Sequence, residues 1–486
     1  MKTPWKWMGM LILLLGFAAQ GKAAEIFKND DLSLSVGGRI QEMGEMSIIS
    51  DDLIRNKFRI YLWNVEDRIF TSGNFKGYKW NFEASFGGES IANGTNGSLN
   101  LLDASIDVPL IEDLITIKVG QFKVPGNLES AIYEGSQLFT EKSPHFNLFF
   151  NQGYDTGVVL YGHLGNLDGQ AGLVQGAPNL PQRYLPEIVN FPIPMFARIG
   201  FNDGITDDPF HPSQTGFAKP DKLQVSVHGM AYVAADSNAG HGDLFGQMGG
   251  ALATFSDNSY YGNILTSSKF NPFLGVAGAL PVSALYGQLG GDFQVRAPLG
   301  DTTLTVSGQV MYGHYDVTVP GGKIINNASG APVTVQNNDA AMTIAGVVYP
   351  AGKAVNKKFE LNIGGAELIA SVGDKPFEVA GRFAAVIPDN GMVGQFSTPA
   401  WAWAPLFVNS NPIVEVTFPS ITYHFNDDVK LVAETMFMFD APESKDYDGN
   451  YLVAEQPGAA SGTGYIGPNL RASMVPIGRM MLQLQY

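Results

Sequence analysis

Apolar and polar residues alternate with a period of two along most of the chain. Leu32, Leu34, Val36 and Ile40 alternate with Ser33, Ser35, Arg39 and Gln41; Phe58, Ile60 and Leu62 with Lys57, Arg59 and Tyr61. Trp80, Phe82, Ala84 and Phe86 alternate with Lys79, Asn81, Glu83 and Ser85, and Leu102, Ala104, Ile106 and Val108 with Asp103, Ser105 and Asp107. The pattern returns at Leu223, Val225 and Val227, at Leu304, Val306 and Val310, and at Phe359, Leu361 and Ile363. Such alternation specifies β-strands with one apolar and one polar face. The strands are many and long, and the gaps between them are of two kinds. Short gaps fall at Thr71–Asn74, Ile111–Leu114, Gly165–Asp168, Pro298–Asp301, Gly373–Pro376 and Asn426–Asp428; long ones span 177–193, 318–356, 388–412 and 442–470. The last strand places Met480, Leu482, Leu484 and Tyr486 on one face, and Arg479, Met481, Gln483 and Gln485 on the other. An apolar alternating strand that finishes on an aromatic resembles the signal read by outer-membrane assembly machinery. The expected fold is all-β, a transmembrane antiparallel β-barrel of 16–18 strands in the outer membrane of a Gram-negative bacterium.

One stretch departs from the pattern. Ile115, Ile117 and Val119 alternate with Thr116, Lys118 and Gly120, and the chain then passes through Val124-Pro125-Gly126 into residues 127–150, too polar and irregular for a strand. A long insert after the fifth strand of a barrel has room to fold inward, so residues 125–152 are expected to form an inward-folded third external loop that narrows the lumen. Counting strands from both ends with short turns kept on one side requires one more strand between 168–176 and 222–235, and Met195–Asn202 is the candidate. That count gives 18. It falls to 16 if a hairpin such as 245–270 is not part of the wall.

Three pieces carry a resemblance to the phosphate-selective porin O/P family of outer-membrane channels. They are Val119-Gly120-Gln121-Phe122-Lys123-Val124-Pro125, followed by Glu129 and Phe139-Thr140-Glu141-Lys142-Ser143; Gly38-Arg39-Ile40-Gln41; and Phe82-Glu83-Ala84-Ser85-Phe86-Gly87-Gly88. The resemblance covers roughly residues 30–145 and is architectural beyond them. It implies 16 strands, a homotrimer with one pore per barrel, and phosphate selectivity from rows of arginine and lysine that lead into a basic constriction. Arg39 and Lys123 stand in the matching motifs.

Composition bears on what passes through such a channel. The chain of 486 residues carries a formal charge of −16 and no cysteine. Lys2 and Lys6, the apolar run Met8 to Ala19, and Gly21-Lys22-Ala23 read as a signal peptide over residues 1–23, leaving 24–486 as one barrel domain. Its removal takes Lys2, Lys6 and Lys22 and no acid, so the charge moves from −16 to −19. An acidic chain is a poor nucleic-acid partner, and one without cysteine forms no disulfide and attaches no c-type haem. The seven histidines, His145, His163, His211, His228, His241, His314 and His424, show no metal-ligand spacing and no positioned nucleophile. The sequence therefore points away from an enzyme and calls for no cofactor.

A channel works through its wall and its constriction. The alternation places Arg39, Lys57, Arg59, Lys118 and Arg479 on the polar face, together with Glu83, Asp103 and Asp107. The insert adds Lys123 and Lys142 against Glu129, Glu134 and Glu141. These charges either divide into a basic and an acidic wall, giving a field across the pore, or pair with one another and hold the wall. The expected partners are small ions or solutes, and outer-membrane lipid and lipopolysaccharide. A second reading makes the barrel a sheath for a multihaem cytochrome in electron transfer across the outer membrane. It predicts an uninterrupted wide lumen.

Overall fold

The computed structural model describes residues 24–29, 31–49, 57–86, 100–111, 114–143, 154–174, 194–205, 214, 220–236, 283–319, 323–324, 335–336, 342–344, 347–349, 357–388, 413–442 and 471–485. Its long strands are β2 (Leu32–Ile49), β3 (Lys57–Phe75), β4 (Tyr78–Ser85), β5 (Asn100–Ile111), β6 (Ile115–Lys123), β7 (Tyr154–Leu164), β8 (Leu167–Val174), β9 (Met195–Asn202), β10 (Gln224–Asp236), β11 (Ser283–Leu299) and β12 (Thr302–Val319), then β17 (Lys357–Asp374), β18 (Phe377–Pro388), β19 (Ile413–His424), β20 (Val429–Pro442) and β21 (Arg471–Gln485). A short β1 (Ala24–Lys28) precedes them, and two small two-stranded pairs, β13 (Lys323–Ile324) with β14 (Val335–Gln336) and β15 (Met342–Ile344) with β16 (Val347–Tyr349), lie between β12 and β17. Each long strand pairs antiparallel with the next, and β21 pairs with β2 to close the ring. Among the described residues the ring holds 16 strands. Met195–Asn202 forms β9 between β8 and β10, as the strand count required. The hairpin 245–270 lies outside the described residues, as do residues 1–23.

The closing seam is shared. On one edge of β2, β21 covers Arg39 to Ser47, while β1 covers Ser33 to Val36. The first and last strands thus run end to end as one composite strand along the same neighbour.

The faces are the inverse of those of a soluble protein. Ile60, Leu62, Ile199, Leu289 and Val310 are each at least 60% exposed on the outside, whereas Arg39 and Glu45 inside are fully buried. No helix among the described residues is long and apolar enough to cross a membrane; the crossing is made by strands that pair with one another in a closed ring. Exposed Phe75, Tyr78, Phe377, Tyr423 and Phe425 flank the short turns, and Tyr423 and Phe425 meet edge to face at 5.0 Å. Aromatic rings at this height mark the edge of the apolar belt. The protein is a multi-pass outer-membrane barrel.

Local structure departs from the expected pattern at three places. The turn expected at Thr71–Asn74 lies inside β3; the chain reverses at Lys76-Gly77, both at positive φ, where Asn74 Oδ1 accepts the Gly77 N–H at 2.8 Å. Two residues at positive φ give the twist that a two-residue hairpin needs. In β3, Val65 has no counterpart on β2, since Glu66 pairs with Gln41 and Asn64 with Glu42. This bulge reverses the phase of the strand. Even-numbered Ile60 and Leu62 face out before it, and even-numbered Arg68 faces in after it. In β17, Ile363 is buried and Leu368 exposed, so Ile363, which the alternation placed on the apolar face, faces the lumen instead. Ile369, on the same inner face, packs there with Ala380 against Leu138 and Phe139 of the insert.

Candidate functional site

Pro125 ends β6, since it has no N–H for the ladder, and the Gly126 N–H turns back onto the Val124 carbonyl at 2.9 Å. Asn127, a favoured residue for opening a helix, starts one turn, α1 (Leu128–Ala131), with Glu129 in its first turn. A 3-10 turn follows at Glu134–Ser136. The insert is apolar enough to pack and polar enough to bond: Val124, Leu128, Ile132, Leu138 and Phe139 are buried, and so are Glu129, Gln137, Thr140 and Ser143.

The insert descends, turns near the short-turn end of the barrel, and climbs again. On the way down, the Leu128 N–H donates to Gln309 Oε1 of β12 at 3.0 Å, and Lys123 Nζ donates to the Ile132 carbonyl at 3.1 Å. At the tip, Gln483 Nε2 donates to the Gly135 carbonyl at 2.9 Å and Lys430 Nζ to the Gln137 carbonyl at 2.6 Å. Lys430 and Gln483 are partners in the β20–β21 register, close to the turn at 425–428. From the connection between β9 and β10, at that same end, Gln214 accepts the Leu138 N–H and donates its own N–H to the Ser136 carbonyl. The tip is therefore held from the wall and from below.

The ascending limb lies on β18–β21. Ser420 Oγ donates to the Leu138 carbonyl at 2.7 Å. The N–H and hydroxyl of Thr140 both donate to Glu434. Arg479 joins Glu141 Oε2 at 2.7 Å and Glu45 at 2.8 Å. Arg382 ties the two limbs together. Its NH1 lies 3.4 Å from Glu129 and donates to the Glu141 carbonyl at 2.9 Å, its NH2 donates to Glu415 at 2.7 Å, and its guanidinium sits 4.4 Å from the centre of the Phe139 ring. The Ser143 N–H and Glu129 close the two limbs on each other. Burial, and next the charge of Glu367, push the Glu129 carboxyl well above the ordinary range, with Arg382 and the Ser143 N–H opposing.

Most of the expected site residues can be placed. Arg39, Glu83, Asp103, Lys118 and Arg479 are buried on the inner face, as is Glu129 of the insert; Lys123, expected on the insert, is instead the buried last residue of β6, paired with Tyr154 in the ladder. Lys118 faces Asp107 at 3.3 Å, Ser105 donates to Asp103 at 2.6 Å, and Arg39 lies 4.9 Å from the centre of the Tyr133 ring. Glu141 bonds to Arg479, and Lys142 is half-buried beside it. The side chains of Lys57, Arg59 and Glu134 lie outside the described residues. Residues absent from the sequence-based set complete the picture. Arg68 pairs with Glu83 at 2.7 Å and donates to the Tyr154 hydroxyl at 2.9 Å. Glu367, Arg382, Glu415 and Glu434 receive the insert, and a lone charge within an apolar strand (Ala366-Glu367-Leu368, Gly381-Arg382-Phe383) is the signal that marks two of them.

A second polar cluster stands on β8–β11. Arg198 clasps Asp292 with two hydrogen bonds, at 2.9 and 3.1 Å. His228 lies between Asp292, at 3.2 Å from Nδ1, and Asp168, at 2.8 Å from Nε2. The insert's bonds to the wall described above go to β6, β12 and β18–β21, with Arg39 of β2 against the Tyr133 ring.

No protein-family model and no curated protein matches the chain. Solved structures do. An anion-selective porin from Comamonas acidovorans is 10% identical, with 94% of this chain and all of that one covered and a TM-score of 0.49. OprB of Pseudomonas putida is 9% identical over 99% of this chain and 97% of its own, also at 0.49. OmpT of Vibrio cholerae is 9% identical over 95% and 100%, at 0.44. At such identity and similarity these are likenesses of barrel architecture, and the reading of the site stands on its own geometry.

Proposed function

We propose that this chain is a diffusion channel for small hydrophilic solutes and ions, and that residues 125–152 set its constriction. The observation that carries the proposal is the insert fastened across a polar lumen by both limbs and by its tip. With the insert bonded to β6, β12 and β18–β21, we assign the solute route to the β8–β11 side, where Gln170, Ser226, Gln288, Gln294 and the Arg198–His228–Asp292 cluster pack the inner face of the wall. Phosphate selectivity, which the family resemblance implies, would need basic groups whose charge is not answered by a neighbour. Here Arg68, Lys118, Arg198, Arg382 and Arg479 each face a carboxylate within 3.4 Å, while Glu129, Glu367, Glu415 and Glu434 crowd around one arginine. This balance favours weak cation preference over anion preference. The cytochrome-sheath reading calls for an unobstructed lumen, and the insert argues against it.

The test is the reversal potential of the purified protein in a planar bilayer under a salt gradient, repeated with phosphate. Weak cation preference without phosphate block supports the proposal. Strong anion preference with phosphate block would transfer the family's selectivity to this chain, and no conductance would end the channel reading. The homotrimer that the resemblance implies is tested by crosslinking in membranes.

A further inference from the structure

Around Arg382 the hydrogen bonds of four buried carboxyl groups can be traced atom by atom. Glu434 is filled by Thr140. Glu415 takes Arg382 on one oxygen and the Ser143 hydroxyl on the other. Glu129 takes the Ser143 N–H and Arg382 on Oε1, but its Oε2 is buried and meets no donor. Glu367 takes Gln309 Nε2 on Oε2 at 2.6 Å, and its Oε1 is likewise buried without a donor. Gln309 links these two carboxyl groups: its Nε2 holds Glu367 on β17, and its Oε1 takes the N–H of Leu128, the neighbour of Glu129 on the insert. Ionised carboxylates only accept, so two of them cannot bond without a proton.

We propose that Glu129 and Glu367 share one proton, and that this protonated pair positions the descending limb of the insert against the wall. The proposal rests on the reading of the insert as the constriction. One proton gives both groups the bond they lack and removes one negative charge from the cluster. The surrounding charged groups leave Glu129 Oε2 and Glu367 Oε1 without a donor. Glu141 and Lys142 come from the insert, Arg382 from β18, Glu415 from β19, Glu434 from β20, Arg479 from β21 and Glu45 from β2. Arg479 is already committed to Glu45 and Glu141, which leaves Arg382 as the cation in direct contact with Glu129. The upward push on the Glu129 carboxyl agrees with a retained proton. Glu129 and Glu367 are positioning residues, since their effect on a solute passes through the insert.

The sign follows from linkage. A docked insert holds a proton that a released insert, with an ordinary carboxyl, gives up. Docking is thus strongest at and below the ordinary carboxylate range. It weakens as pH rises toward the raised value, by up to roughly tenfold in the docked-to-released ratio per pH unit, and levels off above it.

The experiment uses the full folded chain in lipid, titrated between about pH 5 and about pH 9, a range that covers documented buried glutamates. Infrared difference spectra should show a protonated carboxyl that persists at neutral pH and is absent from both Glu129→Gln and Glu367→Gln. Protease cleavage of the insert in the intact barrel should speed up with pH in the parent protein. It should stay slow and flat in both glutamine variants, whose amide supplies the missing donor. Glu129→Gln lies on the insert and leaves the wall sequence untouched, so it remains informative if Glu367→Gln does not fold. A spectrum without the protonated carboxyl, or glutamine variants that titrate like the parent, overturns the proposal. Neither readout needs conduction: a silent bilayer would sink the channel reading alone, and a conducting protein with a pH-flat insert would sink the shared proton alone.

Discussion

Replacing Arg382 by glutamine should release the insert. The substitution keeps some length and polarity but removes the charge that joins Glu129, Glu415, the Glu141 carbonyl and the Phe139 ring. Taking away one partner of a buried ion pair costs roughly 3–5 kcal/mol, because the other is left uncompensated. Spent on docking, that is a shift of roughly 150- to 5,000-fold in the docked-to-released ratio. The assay is the protease cleavage rate of residues 124–143 in the folded barrel, read beside single-channel conductance. Both should rise. A companion change of Glu415 to glutamine should restore about 0.5–3 kcal/mol of docking, the range over which contacting partners couple. Lysine at 382 should fall between, because one ammonium cannot span a carboxylate on the insert, another on β19 and a carbonyl at once. An R382Q protein with parental cleavage and conductance, or a double mutant whose effects simply add, would refute the reasoning.

Other perturbations separate the insert from the wall. Leu138→Ala empties part of the small apolar cluster with Phe139, Ile369 and Ala380; it should weaken docking by roughly 2–5 kcal/mol, seen as faster insert cleavage with the barrel's heat-resistant gel mobility unchanged. Val310→Arg, at mid-height on the lipid side of β12 and 64% exposed, should cost about 2–4 kcal/mol of folding stability in bilayers and leave conductance alone. Gly120 sits at φ +127° with the Ala104 carbonyl where a Cβ would go; Gly120→Ala should cost roughly 1–3 kcal/mol, measured as a lower midpoint in denaturant titration.

The barrel was legible because its alternation is enforced by lipid on one side. Strand β9 could be deduced from parity before any contact was known, and the apolar last strand declared its outward face. What failed was local phase. Nothing at Val65 announces the bulge that brings Arg68 inward, and Ile363 and Ile369 of β17 face inward, the latter onto Leu138 and Phe139 of the insert. The insert itself was visible as a break in pattern. Its receptors were not: Glu141 meets Arg382 and Arg479 across 241 and 338 residues of chain, and no spacing rule reaches that far.

The composite strand at the seam carries a consequence for biogenesis. β2 borders β3 on one side and, on the other, segments drawn from opposite extremes of the sequence. Until both arrive, the growing sheet has two raw edges, at β2 and at β20, each a row of unpaired amides and carbonyls ready to add any passing strand. Closure is also the contact of greatest sequence separation, and so among the slowest to form unaided. A chain built this way stays adhesive for nearly its whole synthesis and becomes inert in a single late step. Escort through the periplasm and a protected place to close are therefore demands written into its topology.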